Sequence, residues 1–147
     1  STRETTLFPY TTLFRSVVAA QATLDPSDPA DQSNPKVQEF VAQGTAAGLE
    51  QGQIEGGISS VGWGFGALLA KALETTKTVD RAGVMNTLWS LDNENFGLLR
   101  DEITVNTDGT KDPWPIEGFR MVQREGNTWK QLTPVTNFEG KSNSFAG

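Results

Sequence analysis

The spacing of apolar residues changes once along this chain, and that change limits what the chain can fold into. Between residues 36 and 91 they recur every three or four positions; beyond residue 102 they come in short runs broken by turn residues. The first pattern belongs to helices with one buried face, the second to strands joined by tight turns. Asn34-Pro35 starts the helical part, with Asn as N-cap and Pro at the first helical position, and Val37, Phe40 and Val41 follow on one face. That pattern decays through Gly44 and Gly48. Gly56-Gly57 opens a second helical stretch, in which Leu69 and Leu73 lie one turn apart with Leu68 and Ala72 beside them. So wide a stripe suits a helix packed on a sheet. Asp80 caps a third helix carrying Val84, Leu88 and Leu91, and Met85 and Trp89 widen its apolar face, which reads as core. Asp92-Asn93-Glu94-Asn95 stops it.

The rest reads as β-rich. Residues 103–105 (ITV) form a short strand before the turn residues Asn106 to Gly109, and Asp112-Pro113-Trp114-Pro115 is a rigid loop. Residues 116–124 read as a strand, Glu125-Gly126-Asn127 reverses the chain, and residues 128–132 return as the hairpin partner. The tail from Asn137 is polar and Gly/Ser-rich and is expected to fray. Ahead of the helices, residues 17–20 (VVAA) have buried-strand length, and they run into Asp25-Pro26-Ser27-Asp28-Pro29. Two Asp-Pro pairs hold that segment extended, as a linker or crossing loop with its acids in a solvated turn.

Composition narrows the chemistry. The chain has no His and no Cys, which removes an imidazole base, a Ser–His pair, a thiolate nucleophile and the usual zinc ligands. A net charge of -6 argues against binding a nucleic-acid backbone. Hydrophobic residues make up 36%, with 15 Gly and 7 Pro, so turns are many and the core modest. Nothing approaches the run of about 18 apolar residues that a membrane span requires.

Residues 6–16 (TLFPYTTLFRS) read as the in-frame translation of a common sequencing adapter, so residues 1–16 are set aside as an artefactual leader. Pro9 and Arg15 break the stretch where a signal peptide needs an unbroken apolar run. The remainder, opening at Val17, is expected to be an internal or C-terminal piece of a longer protein, with a domain over 17–139 and a flexible tail over 140–147.

Paired carboxylates are the acid–base chemistry left, and no pair stands out. Glu74 lies near a helix end, and Asp101, Glu102 and Asp108 lie by turns. Gly62-Trp63-Gly64-Phe65-Gly66 is neither GxGxxG nor GxxxxGK[ST]; close packing of a helix start explains its glycines better. Trp63, Trp114 and Trp129 suit either a ligand cleft or ordinary packing. The residues by themselves mark no catalytic site, no metal site and no cofactor.

The order of segments carries a resemblance. An apolar strand precedes Asp25-Pro26-Ser27-Asp28-Pro29; Gly62-Trp63 opens the Ala67 to Glu74 helix; Asp80-Arg81-Ala82-Gly83-Val84-Met85 follows; Leu98-Leu99 precedes the strand at 103–105. Asp112-Pro113-Trp114-Pro115-Ile116-Glu117-Gly118-Phe119 and a strand ending before Gly126-x-x-Trp129 complete the series. Over residues 17–139 this resembles the C-terminal part of a type I periplasmic binding protein, of the branched-chain amino acid-binding branch of ABC transporter substrate-binding proteins. The resemblance implies an α/β fold: a fragment of two Rossmann-like lobes joined by three crossing segments, with helices over 36–91 and a β-rich C-terminal part. It implies residues 17–20 in the lobe opposite those helices, and most contacts to the ligand's polar groups upstream of this region. The aromatic after the helix-opening glycine, here Trp63, is the ligand-binding residue it carries over, as Trp in place of the family's more usual Tyr.

The resemblance further implies a solute-binding component of an ABC transporter, not an enzyme, that closes on an amino acid-like ligand and is read by a permease. Its place is periplasmic or extracellular, at the outer face of a bacterial inner membrane. The alternative is a ligand-binding sensory ectodomain with the same fold. An enzyme on a similar scaffold fits less well, for want of His, Cys and a convergent acid pair.

Overall fold

The computed structural model describes residues 17–109 and 111–141. The leader at 1–16 and the end of the tail, 142–147, lie outside the described residues. Strand β1 (Val18–Gln21) is followed by helices α1 (Pro35–Ala46), α2 (Gln51–Glu55), α3 (Ile58–Thr75) and α4 (Arg81–Leu88). Strands β2 (Gly118–Glu125), β3 (Thr128–Gln131) and β4 (Thr136–Asn137) complete the order. The fold is mixed α/β, with one strand ahead of a block of helices and three strands after it, as the spacing predicts.

The helix boundaries have local causes. The Asn34 side chain accepts from the Lys36 N–H at 2.9 Å, and Pro35 follows where no N–H is needed. α1 ends in a Schellman turn: Gly48 takes φ 85°, and the Leu49 and Gly48 N–H groups donate to the Gly44 and Thr45 carbonyls. Asp80 caps α4 by accepting from Gly83 N–H at 2.7 Å. That helix stops at Leu88, so Leu91 does not extend its stripe. Leu91 instead folds into the core, its N–H held by Thr107 Oγ1 at 3.0 Å.

β2 is the central strand. It pairs antiparallel with β1 (Val18 opposite Gln123, Gln21 opposite Arg120) and with β3 (Val122 opposite Gln131, Glu125 opposite Thr128). Gly126 adopts φ 62° in the hairpin turn, where a side chain would be strained. β4 pairs with the start of β2, and Phe138 N–H donates to the Glu117 carbonyl, so Asn137 and Phe138, expected to fray, are paired.

One expectation for the β-rich part needs correction. Residues 103–105 form no regular strand; Val105 makes a single bridge, to Glu94. The Asn95 side-chain amide donates to the Arg100 and Ile103 carbonyls at 2.9 and 2.7 Å, filling acceptors that a neighbouring strand would otherwise use. Residues 102–117 are therefore mostly irregular.

The core has two clusters. Leu24, Val37, Phe40, Ile54 and Leu98 form one, with Trp63 packed against it; Leu91, Leu99, Ile103 and Val105 form the other, with Leu68 and Phe96 against it. The stripe expected on α3 is only partly used: Ala72 is buried, whereas Leu69 and Leu73 are exposed. Met85 and Trp89, expected as core, are exposed as well. Among the described residues, no helix is long and apolar enough to cross a membrane.

Candidate functional site

Trp63 sits in the second turn of α3, five residues past the helix start rather than at it. Its ring packs at 56° to Phe40 of α1 with centroids 5.6 Å apart, and its Nε1 donates to Gln43 Oε1 at 2.8 Å. The indole thus joins α1 to α3 while one side of it lines an open groove of about 330 Å³. Lys36, Lys71, Glu94, Asn95 and Phe96 are the other main walls. The charges there are matched: Lys71 pairs with Glu94 at 2.9 Å, and Lys36 donates to Asp101, Asn95 and the Leu99 carbonyl at 2.6, 2.6 and 2.9 Å. With three acceptors the Lys36 ammonium is fully used. A groove with an aromatic wall and balanced charge suits a small neutral or zwitterionic molecule better than an anion.

The glycines around Trp63 divide. Gly64 is buried against Gly97, which has φ 57° and where an added Cβ would stand 2.6 Å from the Gly64 Cα. Close packing explains that pair. It does not explain Gly62 and Gly66, where an added Cβ would meet nothing within 4 Å.

A second groove, of about 410 Å³, lies between β1 and the start of α3, with Gln21, Asp25, Gly57, Ser60 and Trp129 among its walls. Trp129 is held there by Asp25, whose Oδ2 accepts from its Nε1 at 3.0 Å, and the Arg124 guanidinium lies 5.1 Å from its ring centre. Trp114 is exposed on the Asp112-Pro113 loop. The structure does not bring the three tryptophans into one site: Trp63 and Trp129 line different grooves.

The loop at 25–31 is not a solvated turn. Asp28 is 1% exposed and Asp31 is also buried. Asp28 accepts from Ala30 N–H at 3.0 Å, Thr128 Oγ1 at 2.6 Å and Trp129 N–H at 2.9 Å. Burial alone raises its carboxyl, but the bonds from Thr128, Ala30 and Trp129 and the nearby Arg124 outweigh that and hold it below the ordinary range. Asp31 takes both terminal nitrogens of buried Arg100, at 3.2 and 2.7 Å. Gln21 Oε1 accepts from Arg100 and from Arg120, at 3.0, 2.9 and 2.7 Å. Burial and then the Arg100 charge press Arg120 below its usual value, against the pull of Asp31, Glu102 and Asp28. These side chains bind β1, the loop, residue 100 and the β2–β3 hairpin into one unit. Their separation of up to 101 positions leaves no local trace in the sequence.

Asp112, Glu117 and Glu139 place carboxylate oxygens within 4.8 Å of one another, a set of hard ligands that a divalent cation accepts. Glu139 is exposed and already bonded by Asn106 at 3.0 Å, and such acid groups are common without an ion. Glu74, Asp101, Glu102 and Asp108 are exposed and do not converge.

The sequence matches no protein-family model and no curated protein. The fold does have a solved counterpart, described as a branched chain amino acid ABC transporter from Thermus thermophilus with bound valine. The two superpose with a TM-score of 0.61 at 14% sequence identity, over 86% of this chain and 34% of that one. The chain thus has the fold of part of that protein and spans about a third of its length.

Proposed function

We propose that this chain is part of the solute-binding component of an ABC transporter and that the whole protein takes an amino acid or a related small molecule. The observation that carries this reading is the fold shared, over 86% of the chain, with a transporter protein solved with valine bound. Binding, not chemistry, is then its task. Closure of two lobes on a bridging ligand favours one conformation by differential contact. Its partner is a permease at the outer face of a bacterial inner membrane. Trp63 supplies an aromatic wall for the ligand side chain.

Isothermal titration of a full-length protein containing this chain, against a panel of amino acids, tests the reading. Saturable binding of one of them is expected, weakened about 2- to 12-fold by Trp63→Ala, the loss of one aromatic contact worth about 0.5–1.5 kcal/mol. Binding of none refutes the solute reading; unchanged affinity in the variant leaves Trp63 to packing. The 147-residue chain alone is expected not to bind appreciably, because a bridging cleft needs both walls. Micromolar affinity needs about 8 kcal/mol, far beyond one aromatic contact.

A further inference from the structure

The chain contains three Asp-Pro bonds, at 25–26, 28–29 and 112–113. Such a bond carries its own nucleophile, because the Asp carboxylate closes a five-membered ring on its own carbonyl carbon. The nitrogen belongs to a tertiary amide with no N–H, and once protonated it leaves as a secondary amine. The three bonds are alike in two respects. Each carboxylate accepts the N–H two residues ahead, from Ser27 at 2.8 Å, Ala30 at 3.0 Å and Trp114 at 3.2 Å. Each side chain is therefore folded over the peptide bond that follows it. Each carbonyl oxygen also accepts a backbone N–H, from Asp28 at 3.0 Å, Asp31 at 2.9 Å and Asp108 at 2.8 Å. A donor in that place steadies the oxyanion that forms when the carbonyl carbon is attacked.

They differ in what else holds the carboxylate. Asp25 also takes Ser27 Oγ at 2.7 Å and Trp129 Nε1 at 3.0 Å. Asp28 also takes Thr128 Oγ1 at 2.6 Å and Trp129 N–H at 2.9 Å, and it is buried. In both, the two oxygens are engaged, and attack must first break a bond to β3. The Asp112 side chain keeps the Trp114 bond alone among the described residues, on a loop where Pro113, Trp114 and Pro115 are exposed. The Glu117 and Glu139 carboxylates, with oxygens within 4.8 Å of one of its own, are like charges rather than donors.

We infer that Asp112-Pro113 is a site of self-cleavage in mild acid, and that the fold shields the other two bonds. A carboxylate oxygen of Asp112 bonds to the Asp112 carbonyl carbon, and the C–N bond to Pro113 breaks. The Pro113 nitrogen takes a proton from solvent and leaves as the amine. Water then opens the cyclic anhydride and leaves Asp112 with two carboxyl groups. One water is consumed and nothing is oxidised. The two pieces stay together, because β1 remains paired with β2, and Asp25 and Asp28 remain bonded to Thr128 and Trp129.

Mass spectrometry of the 147-residue chain tests this, after days at the lowest pH that leaves its far-ultraviolet circular dichroism unchanged. Fragments 1–112 and 113–147 are expected, formed at least about tenfold faster than those from cuts after Asp25 or Asp28. They should elute as one species from a sizing column and separate in urea. In urea at the same pH the three bonds should cleave at similar rates, because the hydrogen bonds that distinguish them are gone. Asp112→Asn lacks the nucleophile, and Asp112→Glu keeps the charge but must close a six-membered ring; both are expected to lose the two fragments. No cut at 112–113 in the folded chain overturns the inference. So does comparable cutting at all three bonds, the same preference in urea, or cutting undiminished in Asp112→Glu.

Discussion

Replacing Asp28 tests whether the loop at 25–31 is held by its acids. The side chain is buried and accepts three hydrogen bonds, two of them from backbone N–H groups of Ala30 and Trp129. Asp28→Asn keeps the shape but turns a donor toward a donor, leaving at least one buried group unsatisfied, at a cost of about 1–3 kcal/mol. Asp28→Ala orphans all three donors and costs about 3–5 kcal/mol, a large part of a small domain's stability. Asp28 is held below its ordinary range in the fold. Its contribution is therefore fully present above the unfolded value of about 3.9 and is lost as pH falls through the lower folded value. Urea unfolding followed by tryptophan fluorescence, at neutral pH and at successive steps below about pH 4, measures both effects. The gap between the natural chain and Asp28→Asn is expected to be widest at neutral pH and to close in acid. A gap below about 0.5 kcal/mol at neutral pH, or one that does not change with pH, would refute the reasoning.

Thr128→Val removes the shortest of the three bonds to Asp28, at 2.6 Å, and is expected to cost about 1.5–3 kcal/mol; in the Asp28→Asn background, urea midpoints should show a smaller loss. Arg100→Met leaves the buried Asp31 charge without its cation and is expected to cost about 3–5 kcal/mol; also replacing Asp31 with Leu should recover only part of it, because the Asp25 N–H then loses its acceptor, as read by thermal unfolding. Gly97→Ala, at φ 57° and against the Gly64 backbone, should lose at least about 1–3 kcal/mol. Gly62→Ala, in an open position of α3, should gain about 0.5–1 kcal/mol; equal effects at the two glycines would refute the packing account.

Features that depend on a few neighbouring residues were legible in the sequence. Asn34-Pro35 and Asp80 cap helices because their side chains reach N–H groups two or three residues ahead, and Glu125-Gly126-Asn127 reverses the chain because Gly126 accepts a positive φ. The α/β order of segments follows from the same local periodicities. What depends on distant partners was not legible. Asp25, Asp28 and Asp31 look like a solvated turn until Thr128, Trp129 and Arg100 arrive from about 70 to 100 positions away and make burial of their charges tolerable. Residues 103–105 have strand composition, yet the Asn95 amide takes the carbonyl of Ile103 first. The apolar spacing of α3 marks a helix but not which of its sides is covered; Ala72 is buried and Ile58 exposed on one helix. For Trp63 the sequence offered a large aromatic among glycines. Only the fold pressed its ring on Phe40, tied its Nε1 to Gln43 and set it beside an open groove, because a contact between α1 and α3 exists only once both helices have packed.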